Sequence, residues 1–104
     1  MQKLNIFSGC GILGAIIPGT KVIPQEFAKR FNFMLDSIKH RGPDGYGIYC
    51  KDNIILGHRR LSILDISDKG SQPMTREHLT ITFNGEVYNY REIRNILKSD
   101  GYSF

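Results

Sequence analysis

Four short stretches carry side chains able to do chemistry: Cys10-Gly11-Ile12, His40-Arg41-Gly42-Pro43-Asp44-Gly45, Gly57-His58-Arg59-Arg60-Leu61-Ser62-Ile63-Leu64-Asp65 and Asn84-Gly85-Glu86-Val87-Tyr88-Asn89-Tyr90-Arg91. Among them are a thiol, a potential nucleophile or metal ligand, arginine forks that suit carboxylates, and amide and carboxylate groups that donate and accept hydrogen bonds. Taken alone, each stretch also has a plain structural reading. Cys10 would be a small core residue, the second stretch a helix-terminating turn, the third an exposed basic strand and the fourth a hairpin corner. Cys10 and Cys50 lack the spacing of a zinc site or disulfide framework. Cys50, following Tyr49, reads as a core thiol. His40, His58 and His78 have no partners spaced to make them ligands or bases, and read as structural.

The elements that must hold these residues follow from hydrophobic period and turn chemistry. The apolar run Ile12-Leu13-Gly14-Ala15-Ile16-Ile17, closed by Pro18-Gly19, predicts a buried strand starting almost at Cys10. From Gln25 to His40, Phe27, Phe31, Met34, Leu35 and Ile38 recur at helical spacing, so an amphipathic helix is expected, stopped by Gly42. Arg41-Gly42-Pro43-Asp44-Gly45 is a tight loop. Strands are expected at Tyr46–Cys50 and Ile54–Gly57 around a Lys51-Asp52-Asn53 turn, with Leu61–Leu64 as a further candidate. Asp65–Arg76 reads as a loop and Leu79–Phe83 as a half-buried strand. Asn84-Gly85 is then a hairpin corner leading to Val87-Tyr88 on a returning strand. A last helix runs from Asn89 to the Gly101 stop, with Ile93, Ile96 and Leu97 on its apolar side.

Length and composition bound the possibilities. At 104 residues the chain is one small domain with a thin core, since so short a chain buries only a little over about 60% of its unfolded surface. Hydrophobic residues at 40% and charged residues at 23% are those of a folded globular chain. The net charge of +4 raises nucleic acid as a partner. The basic residues are dispersed, however, and form no stripe interleaved with aromatics, which argues against a small RNA-binding domain. No apolar run approaches the roughly 18 residues of a membrane span. Phe7-Ser8-Gly9-Cys10 looks superficially like a lipoprotein cleavage site, but Leu4 to Phe7 is too short for a signal core. Cysteine usage fits a reducing, cytoplasmic setting.

In this order, the four stretches together resemble the glutaminase domain of glutamine-dependent asparagine synthetases, members of the class II glutamine amidotransferases. That domain begins Cys-Gly-Ile and continues with the same three signatures, and the likeness runs from Cys10 to Phe104. Relatives that feed phosphoribosyl or fructose phosphate substrates share the start but differ in the Arg-Gly-Pro-Asp-Gly and Arg-Leu-Ser-Ile-Leu-Asp stretches. The resemblance implies an α+β fold of the N-terminal-nucleophile hydrolase type, an αββα sandwich of two antiparallel sheets between helices, here read as truncated. It implies Cys10 as the nucleophile, with the Asn84 side-chain amide and the Gly85 N–H as the oxyanion hole and Arg41 as an accessory residue. Arg60 would hold the glutamine carboxylate, Leu61, Ser62, Ile63 and Leu64 would line the site through their backbone, and Asn84, Gly85 and Glu86 would contact glutamine. Arg59, variable in type within the pattern, is expected to be a solvated neighbour. An N-terminal cysteine needs no histidine partner, because its own α-amino group, with a reference pKa of about 7.7–8.0, can shuttle protons.

The sequence departs from the family pattern at both ends. Residues 1–9 are expected to be a leader or propeptide-like extension ahead of a partial glutamine amidotransferase type 2 domain at residues 10–104. With Gly9 attached, the Cys10 nitrogen is a non-basic amide, so activity is expected to require Gly9–Cys10 cleavage. The family's Ser-Asp-x-Glu segment, whose Asp binds the glutamine amino group, would come after Phe104. No cofactor is expected in this chain, ATP and Mg belonging to a synthetase domain. The implied function is hydrolysis of glutamine to glutamate and ammonia for amide transfer to aspartate or a related acceptor. The expected partners are glutamine and a synthetase domain or subunit, not nucleic acid or membrane. The alternative reading is an inactive remnant, or a glutamine-binding or regulatory module docked on a synthetase partner.

Overall fold

The structure, a computed structural model, describes residues 10–61 and 70–104. Its centre is a three-stranded antiparallel sheet in the order β1-β3-β2, with β1 at Gly11–Ile16, β2 at Gly45–Lys51 and β3 at Ile54–Arg60. The apolar run after Cys10 forms β1, but not as the buried strand expected, since Ile12 and Ile16 are exposed. The β2–β3 turn is tighter than expected, since Lys51 pairs with Ile54 and only Asp52 and Asn53 remain in the loop. Asp52 takes a positive φ of 54° there, a conformation that Asp tolerates better than most residues. Ile17 and Asn53 then exchange bonds of 3.0 Å, Ile17 N–H to the Asn53 carbonyl and Asn53 Nδ2 to the Ile17 carbonyl, which fastens the end of β1 to this turn.

Strand β3 is longer than its apolar part suggested and carries His58, Arg59 and Arg60 into the middle of the sheet. Side chains alternate across a strand, so Ile55, Gly57 and Arg59 face one side and Leu56, His58 and Arg60 the other. On the first side lies helix α1, Gln25–Ser37, whose Phe31 and Leu35 meet β3 at Gly57. Phe31, Leu35 and Ile55 are the fully buried apolar side chains among the described residues, a thin core as expected. Burying each one stabilises the fold by about 1.5–3 kcal/mol. The helix starts after Pro24, whose carbonyl accepts the Ala28 N–H at 3.0 Å. Glu26 in the first turn complements the helix dipole. The regular helix stops at Ser37, short of His40, and a 3₁₀ turn at Lys39–Arg41 leads into Gly42. Met34, expected inward, is 40% exposed.

A second antiparallel pair, β4 at Met74–Arg76 and β5 at Leu79–Ile81, replaces part of the loop expected up to Arg76. The candidate strand Leu61–Leu64 and the start of that loop fall largely outside the described residues. The turn of this hairpin is Glu77-His78, with Glu77 at φ 56°. Asn84-Gly85 is therefore not a hairpin corner. No strand returns after it, and residues 84–89 run irregularly into helix α2, Tyr90–Ser99. Arg76 Nη2 donates to the Ser103 carbonyl at 3.0 Å, tying the segment after α2 back to β4.

Candidate active site

Cys10 sits immediately before β1 and Leu61 immediately after β3, so antiparallel pairing of Gly11 with Arg59 brings the two together. The Leu61 N–H donates to Cys10 Sγ at 3.3 Å, and Sγ lies 3.9 Å from the Leu61 carbonyl. A backbone donor is thus aimed at the atom that must carry negative charge when a thiol attacks. Cys10 is half-buried.

Asn84 comes to the same place from far along the chain. Its Oδ1 accepts the Cys10 backbone N–H at 3.1 Å. The other arm of that amide, Nδ2, carries two donors. The segment leading to Asn84 is fixed by side chains that sequence reasoning did not connect with the site. Gln72 Oε1 accepts the Phe83 N–H at 2.6 Å, and Thr82 Oγ1 lies 2.8 Å from His58 Nδ1. Neither pairing has a local signal, because each joins residues brought close only by the fold. Gly85 has φ 154°, in a region open essentially to glycine, so its backbone holds a course that a side chain would strain.

The other expected site residues are placed as follows. Arg41 Nε donates to the Cys10 carbonyl at 3.3 Å. Arg60 closes β3 on the face shared with His58, and its guanidinium lies against Gly70. Glu86 is exposed just beyond Gly85. Ser62, Ile63 and Leu64 lie outside the described residues. Cys10, Asn84, Arg41 and Leu61 are therefore joined by direct contacts.

Two expectations are corrected. Arg59 is not a solvated neighbour: it is 7% exposed, donates from Nε to the Leu35 carbonyl at 3.2 Å and pairs through Nη2 with Asp36. Its guanidinium also lies 4.9 Å from the Tyr46 ring centre. It faces α1 because it alternates onto the same side of β3 as Ile55 and Gly57, and an arginine in that position must find partners or leave a charge buried. Cys50, expected in the core, is exposed on the edge strand β2.

His58 is structural, as read, and buried to 1% exposure. Loss of solvation lowers its pKa below the ordinary 6.5, and the nearby positive charge of Arg60 lowers it further. Between the lowered folded value and 6.5 the unfolded chain binds more protons, so acidification favours unfolding. The His58 contribution is complete above 6.5 and is lost as pH falls through the lowered value. The melting temperature should therefore drop from neutral to mildly acidic pH more steeply in the natural chain than in His58→Asn. Equal slopes would show that His58 does not titrate in this way.

These contacts join a thiol, a side-chain amide and one arginine, Arg41, around Cys10. Comparison with known proteins gives the family: residues 9–104 match the family described as glutamine amidotransferase domain, and the chain belongs to it. It is 42% identical over 82% of its length to the putative asparagine synthetase [glutamine-hydrolyzing] 2 of Methanocaldococcus jannaschii. It is 45% identical over 77% to asparagine synthetase [glutamine-hydrolyzing] 1 of Bacillus subtilis, and 39% over 82% to asparagine synthetase B [glutamine-hydrolyzing] of Escherichia coli. The matches span 20%, 12% and 15% of those relatives' own lengths, respectively. Among the described residues, no helix is long and apolar enough to cross a membrane.

Proposed function

We propose that this chain is the glutamine-hydrolysing part of an asparagine synthetase-type amidotransferase, working in the cytoplasm, with Cys10 as nucleophile once the Gly9–Cys10 bond is cleaved. The observation that carries the reading is the contact of Asn84 with Cys10 across the fold, in a chain of the glutamine amidotransferase family. The Cys10 thiolate attacks the side-chain amide carbon of glutamine, and the carbonyl oxygen becomes an oxyanion. Asn84 Nδ2 and the Gly85 N–H stabilise that charge. The freed α-amino group takes the thiol proton and passes it to the leaving nitrogen, so ammonia departs and a γ-glutamyl thioester remains. Water then attacks the thioester, releasing glutamate and restoring the thiol.

Arg60 binds the substrate α-carboxylate through its planar fork, while Leu61, Ser62, Ile63, Leu64 and Glu86 line the glutamine site. Arg41 holds the Cys10 carbonyl and so orients the nucleophile. The αββα sandwich of N-terminal-nucleophile hydrolases is supported by the layering of α1 on one face of β3 and the Thr82 segment, just after β5, on the other. Ammonia passes to a synthetase domain or subunit that uses ATP and Mg to amidate aspartate or a related acceptor. Among the described residues no group of three or more His, Cys, Asp or Glu side chains could hold a metal ion.

Steady-state glutamate release by the processed chain tests this reading. Arg60→Ala should raise KM for glutamine by about ten- to a hundredfold, the scale of a lost charge-assisted hydrogen-bonded pair, with a smaller change in kcat. An unchanged KM would remove Arg60 from the binding site.

A further inference from the structure

We propose that Gly70 is a positioning residue for the Arg60 guanidinium and sets how strongly the site selects amides carrying a free α-carboxylate, while Gly42 holds the end of the strand that bears Arg60. The proposal rests on the role given to Arg60 above and deepens it. Two independent close approaches carry it, one at the backbone of Arg60 and one at the tip of its side chain.

At the backbone, the loop after the 3₁₀ turn is pressed onto the end of β3. Pro43 bridges to Arg60 in parallel fashion, and the Asp44 N–H donates to the Arg60 carbonyl at 3.0 Å. Gly42 is buried, and a Cβ there would fall 2.2 Å from Arg59 C, 2.4 Å from Arg59 O and 2.5 Å from Arg60 N. Those are backbone atoms of the central strand and cannot swing aside. The Gly42 φ of −147° is open to any residue, so the close approach alone reserves this position for glycine.

At the tip, a Cβ on Gly70 would fall 2.6 Å from Arg60 Nη2 and 3.4 Å from Cζ. The atoms met here end a flexible side chain, so a methyl group at position 70 moves the fork rather than the fold. Bidentate binding of a carboxylate depends on the place and plane of that fork. A displacement near 1 Å costs heavily when a substrate is held for attack by a distant group. Arg41, at the start of the same loop, donates to the Cys10 carbonyl at 3.3 Å. One loop therefore touches both Cys10 and the backbone of Arg60.

The test compares ammonia release from glutamine and from glutaminamide, which has the same reactive side chain but no α-carboxylate. Gly70→Ala should lower kcat/KM for glutamine at least about tenfold, mainly through KM, with the value for glutaminamide unchanged. Gly42→Ala, whose methyl would meet strand backbone, should instead lower both activities together, because Arg41 in the same loop holds the Cys10 carbonyl. Gly45→Ala, which adds a methyl into open space, should behave as the natural chain with both substrates. General damage to the fold would lower both activities together and could not produce this split. If Arg60→Ala loses the preference for glutamine while Gly70→Ala keeps it, the positioning role is overturned. If Arg60→Ala itself keeps the preference, the carboxylate role of Arg60 falls, and the proposal with it.

Discussion

Asn84→Ala is expected to lower kcat for glutamine hydrolysis by about 10²–10³-fold, a loss of about 2.7–4 kcal/mol of transition-state stabilisation, with little change in KM. The effect falls on kcat because full negative charge on the substrate oxygen exists only after attack. Asn84 has two functions that the alanine variant removes together. Its Oδ1 accepts the Cys10 N–H at 3.1 Å, and Nδ2 is the donor proposed for the oxyanion. Asn84→Asp separates them, since the carboxylate keeps an acceptor for Cys10 and loses the donor. Stopped assays of glutamate release should find the aspartate variant at least as impaired as the alanine variant. An aspartate variant near natural activity would mean that Asn84 only holds Cys10, and that the oxyanion is met elsewhere.

The second large effect concerns the bond before Cys10. A chain that retains Gly9 has no basic nitrogen beside its thiol and should hydrolyse glutamine about 10²–10⁴-fold more slowly than one beginning at Cys10, the range assigned to a positioned acid–base group. In the processed chain, kcat/KM should rise with pH through the α-amino range, about 7.7–8.0. Cys10→Ala in the processed chain should release no glutamate, since no thioester can form. A variant at Gly9 that resists cleavage, compared with the processed chain at matched concentration, measures the first of these ratios. Equal rates would dismiss the α-amino group as proton carrier.

Much of the fold was legible because its signals are local. The apolar run after Cys10, the helical spacing of Phe31 and Leu35 and the turn at Asp52-Asn53 all encode their structure within a few residues. The errors came where tertiary pairing decides. Arg59 reads as a solvated neighbour because its position varies in type within the family pattern, but β3 is central and α1 supplies the Leu35 carbonyl and Asp36 that make its burial tolerable. Asn84-Gly85 carries one of the strongest short hairpin signals, yet the Asn84 side chain is used on a residue far back in the chain. The chemistry-bearing types were readable, and the family was recoverable from four stretches in order. The supports were not: Gln72 beneath Phe83, Thr82 on His58 and Gly70 beside Arg60 are contacts made between distant parts of the chain.

The central claim, that Cys10 is an N-terminal nucleophile acting on glutamine, is tested most directly by intact mass of the protein quenched in acid during turnover. The account predicts a chain that begins at Cys10 and carries a γ-glutamyl group, with peptide mapping placing that group on the Cys10 sulfur. Glutamate released at a comparable rate by a chain still bearing residues 1–9, with no acyl group on Cys10, would contradict it.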